Sequence, residues 1–159
     1  MKSAEESLNN IFGYGQTEES PGFLLWQVSN LWQRRIKRAL DPMDLTHVQF
    51  MLLAGIYYLH SRGETVTQIR LAGHAGTDKM MTSNVVRTLE KKGLIVRQEH
   101  PTDSRAKMLE ITQKGRELLK EAVPVVEETD RLFFDELGYM EDLFRNTLQE
   151  LADQPLQDG

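Results

Sequence analysis

Cysteine is absent from the 159-residue chain. That excludes disulfides, thiolate metal sites, a nucleophilic thiol and a cysteine redox switch together. No apolar run approaches the roughly 18 residues that a membrane-crossing helix requires, and Met1 to Asn10 is acidic and polar rather than a basic stretch leading into an apolar one. A reducing cytoplasm is the expected home, with no role in the membrane. Histidine is sparse: His47, His60, His74 and His100 are scattered without an i, i+4 pair, so a metal site would need distant residues to converge. No glycine-rich phosphate loop and no strand-turn-helix nucleophile elbow is present. No catalytic residue, metal or cofactor is therefore assigned, and an enzyme is not expected.

What is there is an uneven charge. The net charge of -5 argues at first against a nucleic-acid partner, but the sum conceals the distribution. Residues 1–61 carry 5 basic and 6 acidic side chains, residues 62–116 carry 11 and 6, and residues 117–159 carry 3 and 12. A basic island thus lies between acidic flanks, as a DNA-facing module needs; a solvated helical face with spare lysines would produce the same count.

The apolar spacing predicts a mainly α chain with one small β-hairpin. After the breaker cluster Glu18 to Gly22, Phe23, Trp26, Leu31, Ile36 and Leu40 mark a long first helix that Asp41-Pro42 interrupts. Thr46 with Gln49 reads as a capping box, and Leu45 with Phe50 as its hydrophobic staple, opening a second helix to about Ser61. A short helix from Gln68 to Gly73 or His74, capped by Thr67 and packing through Ile69, Leu71 and Ala72, precedes one from Thr77 or Asp78 to Lys92. The latter carries Met81, Val85, Val86 and Leu89 on its apolar side. These two form a helix-turn-helix unit. Leu94 to Glu99 and Lys107 to Thr112, joined through the turn Pro101 to Ser104, read as a hairpin. A helix from Gln113 to Leu137, strained or kinked at Pro124, and a last one from Tyr139 to Asp153 complete the chain before a polar, frayed tail from Gln154. The parts are an N-terminal arm (1–42), a reading lobe (43–116) and C-terminal helices (117–159).

If the apolar stripe of the second helix of the pair faces the core, its other side shows Lys79, Met80, Ser83, Asn84, Arg87 and Thr88. Arginine can bond guanine bidentately, asparagine adenine, and small hydroxyls approach bases or phosphates. The positive end of that helix, with the Thr77 hydroxyl, can meet a phosphate. At the hairpin tip Arg105 suits the negative potential of a narrow minor groove, with Asp103 placed to pair with it and Lys107 near the backbone. DNA-binding candidates are accordingly Thr77, Lys79, Ser83, Asn84, Arg87, Thr88, Asp103, Arg105 and Lys107.

The run Met81-Thr82-Ser83-Asn84-Val85-Val86-Arg87-Thr88-Leu89-Glu90-Lys91-Lys92-Gly93-Leu94-Ile95, then Asp103-Ser104-Arg105, then Leu109-Glu110-Ile111-Thr112-Gln113-Lys114-Gly115, resembles the MarR family of bacterial transcriptional regulators across nearly the whole chain. The resemblance implies a winged helix-turn-helix, a homodimer held by its N- and C-terminal helices, a recognition helix in the major groove and a wing in the minor groove. It places Ser83, Asn84 and Thr88 facing the groove, and Asp103 with Arg105 on the wing. Asn84 stands where arginine is frequent and Arg87 where an acidic residue is frequent, so base preference does not transfer.

The resemblance further implies a small aromatic or anionic effector bound between the dimer helices and the DNA-binding lobes, for which Trp26, Arg34 (or Arg35), His47 and Tyr57 are candidates; each also reads as core or surface. Dimerisation has its own argument: the last two helices carry more apolar residues, from Leu118 to Leu151, than one face toward a small domain requires, the alternative cover being intramolecular packing in a helical bundle. A symmetric dimer predicts a palindromic operator with half-sites about 34 Å apart. Repression is the expected outcome. The alternative is a winged-helix module that binds protein without a specific DNA target.

Overall fold

A computed structural model describes residues 19–155 of the chain; the readings made for Met1 to Asn10 and for the end of the polar tail lie outside them. The Ser20 Oγ accepts from the Phe23 N–H at 3.4 Å and Pro21 occupies the first turn, so α1 (Pro21–Leu40) starts at a cap with its proline where no N–H is missed. Only Ile36 and Leu40 of α1 are fully enclosed. A single 3-10 turn, Asp41–Met43, then hands the chain to α2 (His47–Ser61). The capping box is formed in both directions: Gln49 N–H donates to Thr46 Oγ1 at 3.2 Å and Thr46 N–H to Gln49 Oε1 at 3.3 Å. Leu45 and Phe50 are both buried, as a staple requires.

α2 is the hub of the fold and touches α1, the helix-turn-helix, β2 and the long C-terminal helix. The helix-turn-helix consists of α3 (Gln68–Ala75), capped by Thr67, and α4 (Lys79–Lys91), joined through Gly76 at a φ of 64°. That left-handed conformation is nearly free for glycine and costly for other residues. β1 (Ile95–Glu99) and β2 (Lys107–Ile111) pair antiparallel, with Ile95 opposite Ile111 and Glu99 opposite Lys107. The Val66 carbonyl accepts from Leu109 N–H at 2.8 Å, which sews the entry of α3 to the hairpin. α5 (Gln113–Phe134) runs on through Pro124, and the chain leaves it in a 3-10 segment, Asp135–Met140, before α6 (Glu141–Ala152). The expected helix to Leu137 thus stops three residues early.

Two packing assignments are corrected. Ile69, expected to pack beside Leu71 and Ala72, is 73% exposed, and α3 buries only the latter two. On α4 the enclosed residues are Thr82, Val86 and Leu89, while Met81 is exposed and Val85 half-buried. Thr82 can take an apolar position because its hydroxyl donates to the Asp78 carbonyl at 2.8 Å, leaving its methyl to the core. One lysine spans the lobe: the Lys92 ammonium bonds the Asp44 carbonyl, pairs with the Asp44 carboxylate at 2.9 Å and reaches Gln49 Oε1 at 3.2 Å. The end of α4 is thereby fastened to the start of α2.

Candidate nucleic-acid interface

α4 begins at Asp78, whose carboxylate accepts from the Met81 N–H at 2.7 Å. This decides between Thr77 and Asp78 as the cap and fills the positive end of the helix with an anion of the chain's own. The Thr77 and Thr82 hydroxyls are 2.8 Å apart, and since the Thr82 proton goes to the Asp78 carbonyl, Thr77 must be the donor between them. Its proton is engaged inside the turn, so the expected hydrogen bond from Thr77 to a phosphate has no free donor in this conformation.

Beyond the cap, Met80, Asn84, Arg87 and Lys91 follow one another at helical spacing and all are exposed, with Lys79 beside them. Ser83 and Thr88 are half-buried at the margin of this stripe, and Thr88 Oγ1 donates back to the Asn84 carbonyl at 3.1 Å. Among the described residues, Lys79, Arg87, Lys91 and Arg105 enter none of the ion pairs. Lys91 was missed in the sequence because it directly precedes Lys92 in an ordinary helix-end motif; the spacing from Arg87 carries the signal.

The wing is ordered from within. His100 Nδ1 accepts from the N–H groups of Thr102 at 3.3 Å and Asp103 at 3.2 Å, and Asp103 Oδ1 accepts from the Arg105 N–H at 3.0 Å. Asp103 therefore orients the Arg105 backbone, not its guanidinium as the sequence reading has it, and the Arg105 side chain stands exposed at the tip. Lys107 pairs with Glu99 across the hairpin at 3.4 Å, an exposed contact worth at most a few tenths of a kcal/mol to about 1. Arg97 on β1 holds Glu90 of α4 at 2.6 Å and fixes the wing against that helix. Neither His100 nor Arg97 was singled out in the sequence, since each acts through a fold contact.

The four effector candidates do not converge on one site. Trp26 and Arg34 line a cleft of about 520 Å³ along α1, and Arg34 and His47 line an adjoining one of about 550 Å³. Tyr57 lies elsewhere, in a cleft of about 700 Å³ between α2 and α5, with the Arg116 guanidinium 5.8 Å from its ring centre. Arg35 stacks on Phe133 instead. His47 meets the Trp32 ring edge-on at 4.9 Å, and the Trp32 indole N–H donates to Asp130 Oδ1 at 2.7 Å, joining α1, α2 and α5. Burial holds the His47 pKa below its ordinary value, with Asp130 opposing in part. Folding thus favours the neutral ring, and unfolding free energy is expected to fall as the pH drops below about 6.5, where the unfolded chain takes up a proton the folded ring resists. Denaturation midpoints between about pH 5 and 7 check this: His47→Gln should flatten the slope, and an unchanged slope would reject the assignment.

The sequence model of the MarR family matches residues 45–107, from the α2 entry to the second strand of the wing. The uncharacterized HTH-type transcriptional regulator YdcH of Bacillus subtilis (strain 168) is 50% identical over 132 residues, covering 83% of this chain and 89% of its own length. Among solved structures, CouR from Rhodococcus jostii RHA1 bound to p-coumaroyl-CoA superposes with a TM-score of 0.75 at 27% identity, over 90% of this chain and 99% of that one. The S. aureus MepR–DNA complex gives a TM-score of 0.76 at 23% identity, over 85% and 98%; this likeness is one of fold.

Proposed function

Because the chain belongs to the MarR family of transcriptional regulators, we propose that it acts as a cytoplasmic homodimer that binds a palindromic duplex operator, represses transcription there and carries out no catalysis. The observation that carries the reading is that α4 exposes Lys79, Asn84, Arg87 and Lys91 and the wing tip exposes Arg105, none of these cations entering an ion pair among the described residues. α4 is about the width a major groove admits. Asn84 and Arg87 reach base edges, and Ser83 and Thr88 flank them. Lys79, Lys91 and, once freed from Glu99, Lys107 neutralise phosphates, while Arg105 enters the minor groove on a loop that Asp103 holds in shape.

Selection of bound fragments from a random duplex library tests this directly. A palindrome with half-sites about one helical turn apart is expected; enrichment of no sequence would reject the reading. Arg105→Ala should weaken operator binding by about 1 to 3 kcal/mol and reduce the slope of log affinity against log salt by about 1. A full slope in the variant would remove Arg105 from the DNA.

The effector reading moves to the cleft between α2 and α5. Its volume of about 700 Å³ lies within the range of small-molecule sites. Tyr57, Leu119, Val123 and Pro124 supply apolar walls, with Arg116 and Lys120 as cations, which suits an aromatic anion; CouR, bound to p-coumaroyl-CoA, is a relative with a ligand of that chemistry. The cleft joins the reading lobe to the C-terminal helix α5, so such a ligand would release DNA only by binding the non-operator geometry more tightly.

A further inference from the structure

The outward stripe of α4 contains one side chain that electrostatics does not explain. Met80 is 76% exposed in the first turn, and it lines up with Asn84, Arg87 and Lys91 at intervals of four, three and four residues. Met81 lies about 100° further round the helix, in line with the half-buried Val85 and Thr88. A thioether is at most a weak acceptor, so Met80 contributes little toward phosphates or the polar atoms of base edges. The major groove offers a single apolar feature, the C5-methyl of thymine. The first residues of a recognition helix are those that reach the base edges, and an unbranched, polarisable side chain can adapt its length and torsions to a methyl at that depth.

We propose that Met80 selects thymine in each half-site by covering its C5-methyl group. The inference rests on the DNA-binding reading above, and it assigns a specificity role on grounds independent of the cationic contacts. Contact with a methyl removes apolar surface of both groups from water. The gain is independent of salt to first order, unlike the phosphate contacts made by Lys79 or Lys91.

The test uses the full-length protein and an operator duplex taken from the selection described above. Each thymine of one half-site is replaced in turn by deoxyuridine, which deletes the methyl and leaves pairing unchanged. The unmodified protein is expected to lose about fourfold in affinity at one or two positions, the burial value of a single methyl-sized group. Met80→Ala should bind the thymine and uracil duplexes equally, while Met80→Leu should retain the discrimination. If Met80→Ala still loses as much as the parent at the sensitive positions, or if no thymine is sensitive in the parent, the inference is overturned though the DNA-binding reading stands. If the parent protein selects no duplex at all, both fall.

Discussion

The double substitution Leu148→Asp/Leu151→Asp is expected to leave the protein monomeric and to lower operator affinity to its non-specific level, about a thousandfold or more weaker. Among the described residues, 12 of the 19 large apolar side chains that are exposed lie on α1, α5, the 3-10 segment after it and α6. α6 has no buried residue among its 12, yet alternates Phe144, Leu148 and Leu151 at helical spacing. A helix of that length is marginal in water unless an apolar face is packed, and among the described residues Phe144 meets Phe134 at 5.9 Å while Leu143, Leu148 and Leu151 stay exposed. Packed against a second copy, the same leucines would be interior. Two carboxylates there would each need desolvation without a partner, a cost of several kcal/mol. A monomer then offers one reading head and loses half of the phosphate contacts. Sedimentation equilibrium with parallel operator titration reads both consequences, and a variant that stays dimeric at micromolar concentration would displace α6 from the interface.

Gly115→Ala should cost about 3 kcal/mol of stability, at the upper end of overpacking substitutions, and lower the unfolding midpoint by on the order of 10 °C for a chain of this size. A Cβ at Gly115 would lie 2.2 Å from the Leu94 carbonyl oxygen and 2.8 Å from Ile111 Cγ1. The first of these is backbone and cannot swing aside. The same carbonyl accepts from the Thr112 N–H at 3.0 Å, and Thr112 in turn caps α5 by accepting from the Gly115 N–H at 3.1 Å. The start of α5, the end of α4 and the hairpin are thus pressed together at one point. Yielding there would also turn the reading lobe against α5. Thermal and urea denaturation of the two proteins compare them; equal midpoints would mean that the contact between α5 and the wing is looser than the structure has it.

Much of the fold was legible beforehand because helix starts are local chemistry. Thr46 with Gln49, Thr67, and the glycines at positions 76 and 93 act on backbone groups three or four residues away, which a linear reading can see. The faces of the short helices were less legible. Ile69 and Met81 fit an apolar period as well as Leu71 and Val86 do, and only the direction from which α2 and β2 approach decides which of them is covered. For the candidate site, Asn84, Arg87 and Arg105 followed from residue type and order. The engagement of Thr77 with Thr82, the turn of Asp103 toward a backbone N–H and the support from His100 depend on side-chain torsions that carry no trace in spacing.

Taken alone, the order of residues determined the class of the molecule: helices with their caps, one hairpin, and a basic middle between acidic ends, since each of these arises from neighbours along the chain or from a count. Which cations among the described residues stay unpaired, which cleft lies between the lobe and α5 and which apolar faces are left without cover were decided only in three dimensions. Those properties depend on distances between residues such as Lys92 and Asp44, or Trp32 and Asp130, that lie 48 and 98 positions apart, and the chain brings them together only by packing all its elements at once.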